Sequence, residues 1–171
     1  MHMKHKALPA FTLIETFVAI TILLITLVGP LSLAAQSLRL AYYSRDQVTA
    51  FYLAQEGVEY VRAVRDQNYL TSQSWLTGID DCIGASCVVD APNFTHTVCN
   101  GSCSPVYLSN ITGLYGESVN NSTASLFTRV LTMTRVTGTN DEVIVTVTVS
   151  WSSGGIARSF QVNENLFNWA G

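Results

Sequence analysis

The sequence predicts an α+β protein in which one long N-terminal helix, membrane-spanning in its first half, packs against a small antiparallel sheet of three to four strands. Three observations predict it. Residues 16–38 contain no Asp, Glu, Lys or Arg and are rich in Ile, Leu and Val; a helix needs about 20 such residues to cross a bilayer. After residue 38 the apolar positions recur at helical spacing. From about residue 67 the composition shifts to Ser, Thr, Asn, Gly and Val, with strict alternation in places.

The first element begins after a short leader carrying Lys4 and Lys6. Basic residues beside an apolar segment stay on the cytoplasmic side, so the expected orientation is N-terminus inside with everything after Arg39 outside. A secretory signal is cut beyond its apolar core, after small residues at alternating positions. Leu33, Ala34 and Ala35 offer only a weak site of that kind. Ala10 stands before the apolar run, where a cut would remove the leader and leave the helix on the mature chain. Glu15 is the one acid near the start of that run, and a carboxylate in hydrocarbon costs on the order of 2.5–3.5 kcal/mol, so such a residue usually has a partner or a function.

Pro30 lies in the same run after Gly29. It cannot donate to the carbonyl of Thr26 and its ring crowds that turn, so a kink or a melted turn is expected. Beyond Leu38, Phe51, Ala54, Val58 and Val61 form an apolar stripe, with Glu56, Glu59, Arg62, Arg65 and Asp66 largely off it. That is an amphipathic continuation with a solvated face, on which Glu59 and Arg62 form a weak surface pair.

In the last hundred residues the clearest strand is 142–152, where Val143, Val145, Val147, Val149 and Trp151 alternate with Ile144, Thr146, Thr148 and Ser150. Ile144 on the second face implies that this face is partly covered too. Residues 127–136 form a second strand, joined to the first by the turn-forming Thr137-Gly138-Thr139-Asn140-Asp141. Ser153-Gly154-Gly155 provides the next turn, and residues 156–162 return as a third strand. Leu166, Phe167 and Trp169 are expected to plug the core, since large aromatics dominate burial.

Four cysteines, Cys82, Cys87, Cys99 and Cys103, lie between helix and sheet. Outside the cytoplasm an even number favours disulfides, and four residues allow three pairings. Cys82 with Cys87 and Cys99 with Cys103 is the favoured set, because each pair is close in sequence and Gly84 or Gly101 lets the chain turn between them. Zinc competes, but neither pair has the two-residue gap commonest in four-cysteine zinc sites. Asp80, Asp81 and Asp90 near these cysteines are a candidate cation cluster, without EF-hand spacing. The Asn-X-Ser/Thr matches at Asn93, Asn100, Asn110, Asn120 and Asn121 are what a Ser/Thr/Asn-rich composition produces by itself.

The chemistry of catalysis is thin. His96 is the one histidine outside the leader, and neither a phosphate-cradling glycine motif nor H-E-x-x-H occurs. No catalytic residue, resident metal or cofactor is predicted, so an enzyme is not the expected class. Without the leader the chain has no Lys, seven Arg and twelve acids, a net of about −5. General capture of nucleic acid is therefore disfavoured, leaving only a local patch of Arg129, Arg135 and Arg158 to serve that end.

The stretch Phe11-Thr12-Leu13-Ile14-Glu15 followed by a long apolar helix resembles the start of the type IV prepilins and pseudopilins. The resemblance is strong over residues 4–35 and looser over 36–66, where Tyr52-Leu53-Ala54-Gln55-Glu56-Gly57-Val58-Glu59 is similar to the helix beneath the head of minor pilin-like proteins. It implies a pilin-like fold and cleavage after Ala10 by a prepilin peptidase, with N-methylation of Phe11. Gly is usual before the cut in that family, and Ala10 stands in its place. Glu15 corresponds to the family's membrane-embedded Glu, and Pro30 to a proline near that depth in many pilins. The resemblance further implies a structural subunit, a minor pilin or pseudopilin, of a type IV pilus or of a related type II secretion or DNA-uptake filament. Its partners would be other pilin subunits, the peptidase, an inner-membrane platform with its ATPase, and membrane lipid before assembly. Residues 1–10 would be the cleaved leader, 11–38 the transmembrane and assembly helix, 39–66 its amphipathic continuation and 67–171 the extracytoplasmic head. A signal-anchored extracellular binding or adhesion module that never polymerises is the alternative.

Overall fold

The computed structural model describes residues 12–117 and 120–168. Ala10, Phe11 and Trp169 lie outside the described residues. The chain is α+β. One helix, α1 (Leu13–Leu70, 58 residues), is followed by a 3₁₀ turn at Asp80–Cys82 and eight strands. These are β1 (Ser86–Asp90), β2 (Thr95–Val98), β3 (Tyr107–Ser109), β4 (Tyr115–Gly116), β5 (Ser122–Ala124), β6 (Thr128–Arg135), β7 (Glu142–Ser153) and β8 (Ile156–Phe167). The internal contacts divide the chain between Ser44 and Arg45.

In the first unit, α1 starts on Thr12, whose side-chain oxygen accepts from the backbone N–H of Glu15 at 3.3 Å. With Glu at the third helical position this Thr-X-X-Glu is the sequence of a capping box. The helix runs unbroken through Pro30, so the expected melted turn is not formed. The missing amide of Pro30 costs one backbone bond, and the turns on either side hold. Thr16, Thr21 and Thr26 donate their hydroxyls to Leu13, Val18 and Leu23 carbonyls at 2.8, 2.8 and 2.9 Å. Each hydroxyl is satisfied within its own helix, which keeps the surface apolar.

In the second unit, a five-stranded antiparallel sheet has the order β2-β1-β6-β7-β8, and β3 to β5 make a separate three-stranded sheet of order β4-β3-β5. The expected meander is present as β6-β7-β8, but three to four strands undercount both sheets. The missing ones are short: β1 is apolar without alternation and β3, β4 and β5 span two or three residues each. Periodicity cannot mark strands of that length. Gly154 and Gly155, at φ +60° and +77°, make the two-residue turn joining β7 to β8, the left-handed pair that a tight hairpin requires.

The core lies between the helix from Arg45 onward and the larger sheet. Ala50, Leu53, Ala54, Val58, Val61 and Val64 are buried on one stripe. They face Val143, Val145, Val147 and Val149 of β7, all at most 1% exposed, with Leu131 and Met133 beside them. Gly57 marks the closest approach: a Cβ there would stand 2.9 Å from Val147 Cγ1. A glycine that weakens a helix by about 1 kcal/mol here lets the helix and β7 meet.

Two expected core aromatics are not buried as expected. Phe51 is 41% exposed and meets Phe160 edge-on, with centroids 5.6 Å apart, because its place on the stripe falls over the edge strand β8. Phe167 is 42% exposed while Leu166 is buried. The third strand continues past residue 162 to Phe167, so strand alternation turns these two neighbours to opposite faces.

Candidate functional site

The first unit offers a surface more than a pocket. Leu13, Ile14, Phe17, Ile25, Leu31 and Leu33 are each at least 65% exposed. The 18-residue window of highest mean hydropathy reaches 2.4 with none of it buried, and the helix is long and apolar enough to cross a membrane. Glu15 is exposed on the first turn. There it lies at the N-terminal end of the helix dipole, whose partial positive charge favours a carboxylate. The cap supplied by Thr12 is legible in the Thr-X-X-Glu spacing.

The second unit is stapled as expected. Cys82–Cys87 and Cys99–Cys103 are disulfides with Cα separations of 5.8 and 5.1 Å. Gly84 and Gly101 take φ +76° and +95° in the intervening turns. The first staple is fully buried and Gly84 N–H bonds the Met133 carbonyl at 2.9 Å, tying the loop to β6. The cystine linkages leave no thiolate for zinc among the described residues. Two disulfides suit an oxidising extracellular compartment.

Two of the three acids of the candidate cation cluster, Asp81 and Asp90, are engaged separately. Asp81 Oδ1 lies 2.8 Å from His96 Nε2, and His96 Nδ1 lies 3.1 Å from the Tyr60 hydroxyl. With Nε2 protonated towards the carboxylate, Nδ1 accepts from the phenol, and the relay links the 3₁₀ turn, β2 and α1. Burial, then the charges of Asp81 and Asp90, push the Tyr60 phenol above its ordinary value. A phenol held in its neutral form is a donor and a poor nucleophile, so the relay fastens elements and does not arm Tyr60. Asp90, 4% exposed, is held by Asn93.

Of the three arginines of the possible surface patch, Arg129 is not at the surface. Arg129 is fully buried; it donates to Glu56, to the Leu53 carbonyl at 3.2 Å and to the Val89 carbonyl at 2.7 Å. It shares strand parity with Leu131 and Met133 and so faces the core; that parity was legible in the sequence. A second ion pair joins helix to sheet where Arg62 donates to Glu164 and Glu59. The Glu164 hydrogen bond is the main reason the Arg62 guanidinium lies above its ordinary value. The expected Glu59–Arg62 surface pair is thereby present, with Glu164 as its unforeseen third member.

Two features define the class: a disulfide-stapled α+β unit, and an N-terminal helix long and apolar enough to cross a membrane. No protein-family model, no curated protein and no solved structure matches the chain.

Proposed function

We propose that this chain is a structural subunit of a type IV pilin-like filament, a minor pilin or pseudopilin, that waits in the inner membrane with its N-terminus inside. Prepilin peptidase cuts after Ala10 and methylates Phe11, and a platform protein with its ATPase moves the subunit from lipid into the fibre. The observation that carries this reading is the first half of α1: an exposed apolar surface with every Thr hydroxyl internally satisfied and one acid, Glu15, at its start. A surface of that kind is stable only in lipid or against other apolar helices.

Glu15 then pairs with the ammonium of Phe11, on its own chain or a neighbour's. Breaking a buried pair strands one charge at about 3–5 kcal/mol, so the pair enforces register. The test is the mass of the mature chain together with filament incorporation. A chain beginning at Phe11 with one added methyl, and Glu15→Ala that inserts in the membrane but is absent from sheared filaments, are expected. A retained leader identifies a signal-anchored binding module instead, and wild-type incorporation of Glu15→Ala rules out the register role.

A further inference from the structure

In the head, one buried carboxylate has no counter-charge among the described residues. Asp90 ends β1 at 4% exposure. Its carboxylate receives the Asn93 side chain at 2.8 Å and the Asn93 backbone at 3.4 Å, both neutral donors. A carboxylate accepts about four hydrogen bonds, and a buried one is ordinarily paired with a cation. Arg129, which donates to the carbonyl of the preceding residue Val89, is paired with Glu56 instead.

Asp90 also lines a cleft of about 370 Å³ between the β1–β2 turn and the small sheet, with Asn93, Tyr107, Ser109, Leu114 and Gly116 around it. That volume is at the lower end of the ~300–1,000 Å³ typical of ligand sites. Gly116 lets the Asp90 carboxylate come close to β4, since a Cβ there would stand 2.8 Å from Asp90 Oδ1. The remaining walls are uncharged.

A divalent cation is a poor match, because calcium takes about six to eight oxygens and the Ser109 and Thr112 hydroxyl oxygens already accept backbone N–H groups. A planar guanidinium fits better. It forks onto both oxygens of one carboxylate and its face suits an aromatic ring such as Tyr107. We propose that this cleft binds a guanidinium-bearing ligand, with Asp90 as its counter-charge and Tyr107 as its wall.

The test uses the full chain in detergent micelles, followed by NMR. Agmatine supplies a free guanidinium, and acetyl-Gly-Arg-Gly-amide supplies one borne on a peptide. At least one of them is expected to shift the signals of Asp90, Asn93 and Gly116 saturably, and whichever binds more tightly identifies the source. Asp90→Asn, with both disulfides intact, is expected to weaken binding by about tenfold or more, the scale of losing one partner of a buried charge pair. Tyr107→Leu, which keeps the carboxylate, is expected to weaken it several-fold, and it decides the matter if Asp90→Asn does not fold. The proposal is overturned if neither compound shifts these signals, if the folded variants bind as the wild type does, or if calcium or galactose shifts the same residues where agmatine does not.

Discussion

The two stretches of α1, before and after Ser44, share one backbone conformation and have opposite surfaces. The more apolar stretch is the exposed one: Ile22, Leu24, Ile25 and Leu27 are all more than half exposed. The more polar stretch carries Arg45, Asp46, Glu56, Glu59, Arg62, Arg65 and Asp66, yet it is the one that buries Ala50, Ala54 and Val61 completely. Hydropathy therefore does not decide burial within the chain; arrangement does. Apolar residues confined to one stripe match one sheet face, whereas apolar residues all round the helix find no partner in a small head and need lipid or other helices.

A charge placed in each stretch separates the two most strongly. Leu24→Arg is expected to weaken membrane retention, at about 2.5–3.5 kcal/mol for a charge near the centre of a span, with the melting temperature of the head unchanged. Gln55→Arg, on the exposed face of the second stretch, is expected to leave stability within about 0.5 kcal/mol. Equal membrane retention of the two variants, by fractionation, would remove the distinction.

The ion pair on which the second stretch closes comes next. Glu56→Ala leaves the buried Arg129 with only two carbonyl partners, and is expected to destabilise the head by about 3 kcal/mol in denaturant unfolding. Glu56→Ala combined with Arg129→Met is expected to recover part of that loss, since no stranded charge remains. If the double variant is less stable than the single one, the pair is net stabilising in a way that desolvation argues against.

A glycine occurs in each stretch, which allows the same substitution to be read twice. Around Gly29 there is nothing within 4 Å of an added Cβ, whereas at Gly57 it meets Val147 at 2.9 Å. Overpacking costs roughly 1–3 kcal/mol and the gain in helix propensity is about 1 kcal/mol. Gly57→Ala should therefore destabilise the head by about 1 kcal/mol, and Gly29→Ala should leave head stability as it is.

The parts of the fold legible beforehand are those where a pattern repeats. The alternation from Val143 to Trp151 gave β7 and its core face, the uncharged run gave the first stretch of helix, and short Cys spacings around Gly84 and Gly101 matched the staples. What escaped was decided by partners distant in sequence. Phe51 lies on the helical stripe, but only the width of the sheet determines that it overhangs β8. Glu164 reads as a polar edge residue until Arg62 is opposite it. Strands β3 to β5 are two or three residues long and too short to show a period, and they exist because their backbones pair, as in Leu108 with Thr123. Arg129 is the instructive exception: its parity with Leu131 was visible, and the general rule that arginine is exposed outweighed it. In the sequence Asp90 is one of three acids near the cysteines, and burial is what sets it apart.

The smallest expected effect concerns how the second stretch is fastened to the cysteine loop. Tyr60 is 5% exposed, and burial with the nearby charges of Asp81 and Asp90 raises its phenol. An unfolded tyrosine loses its proton near pH ~10; the folded one retains it to higher pH. The folded state then binds more protons than the unfolded state, so stability is fully present below pH ~10 and declines as pH rises through the raised value. The neutral hydroxyl is also the group that donates to His96 Nδ1, and its ionisation ends that bond. Tyr60→Phe should lower stability at neutral pH by about 1 kcal/mol and reduce the alkaline decline. Denaturant midpoints measured from neutral pH to above pH ~10 should therefore converge for the two proteins. If the difference between them stays constant across that range, Tyr60 is held by packing against Phe94 alone, and the relay to Asp81 contributes nothing to fastening the helix.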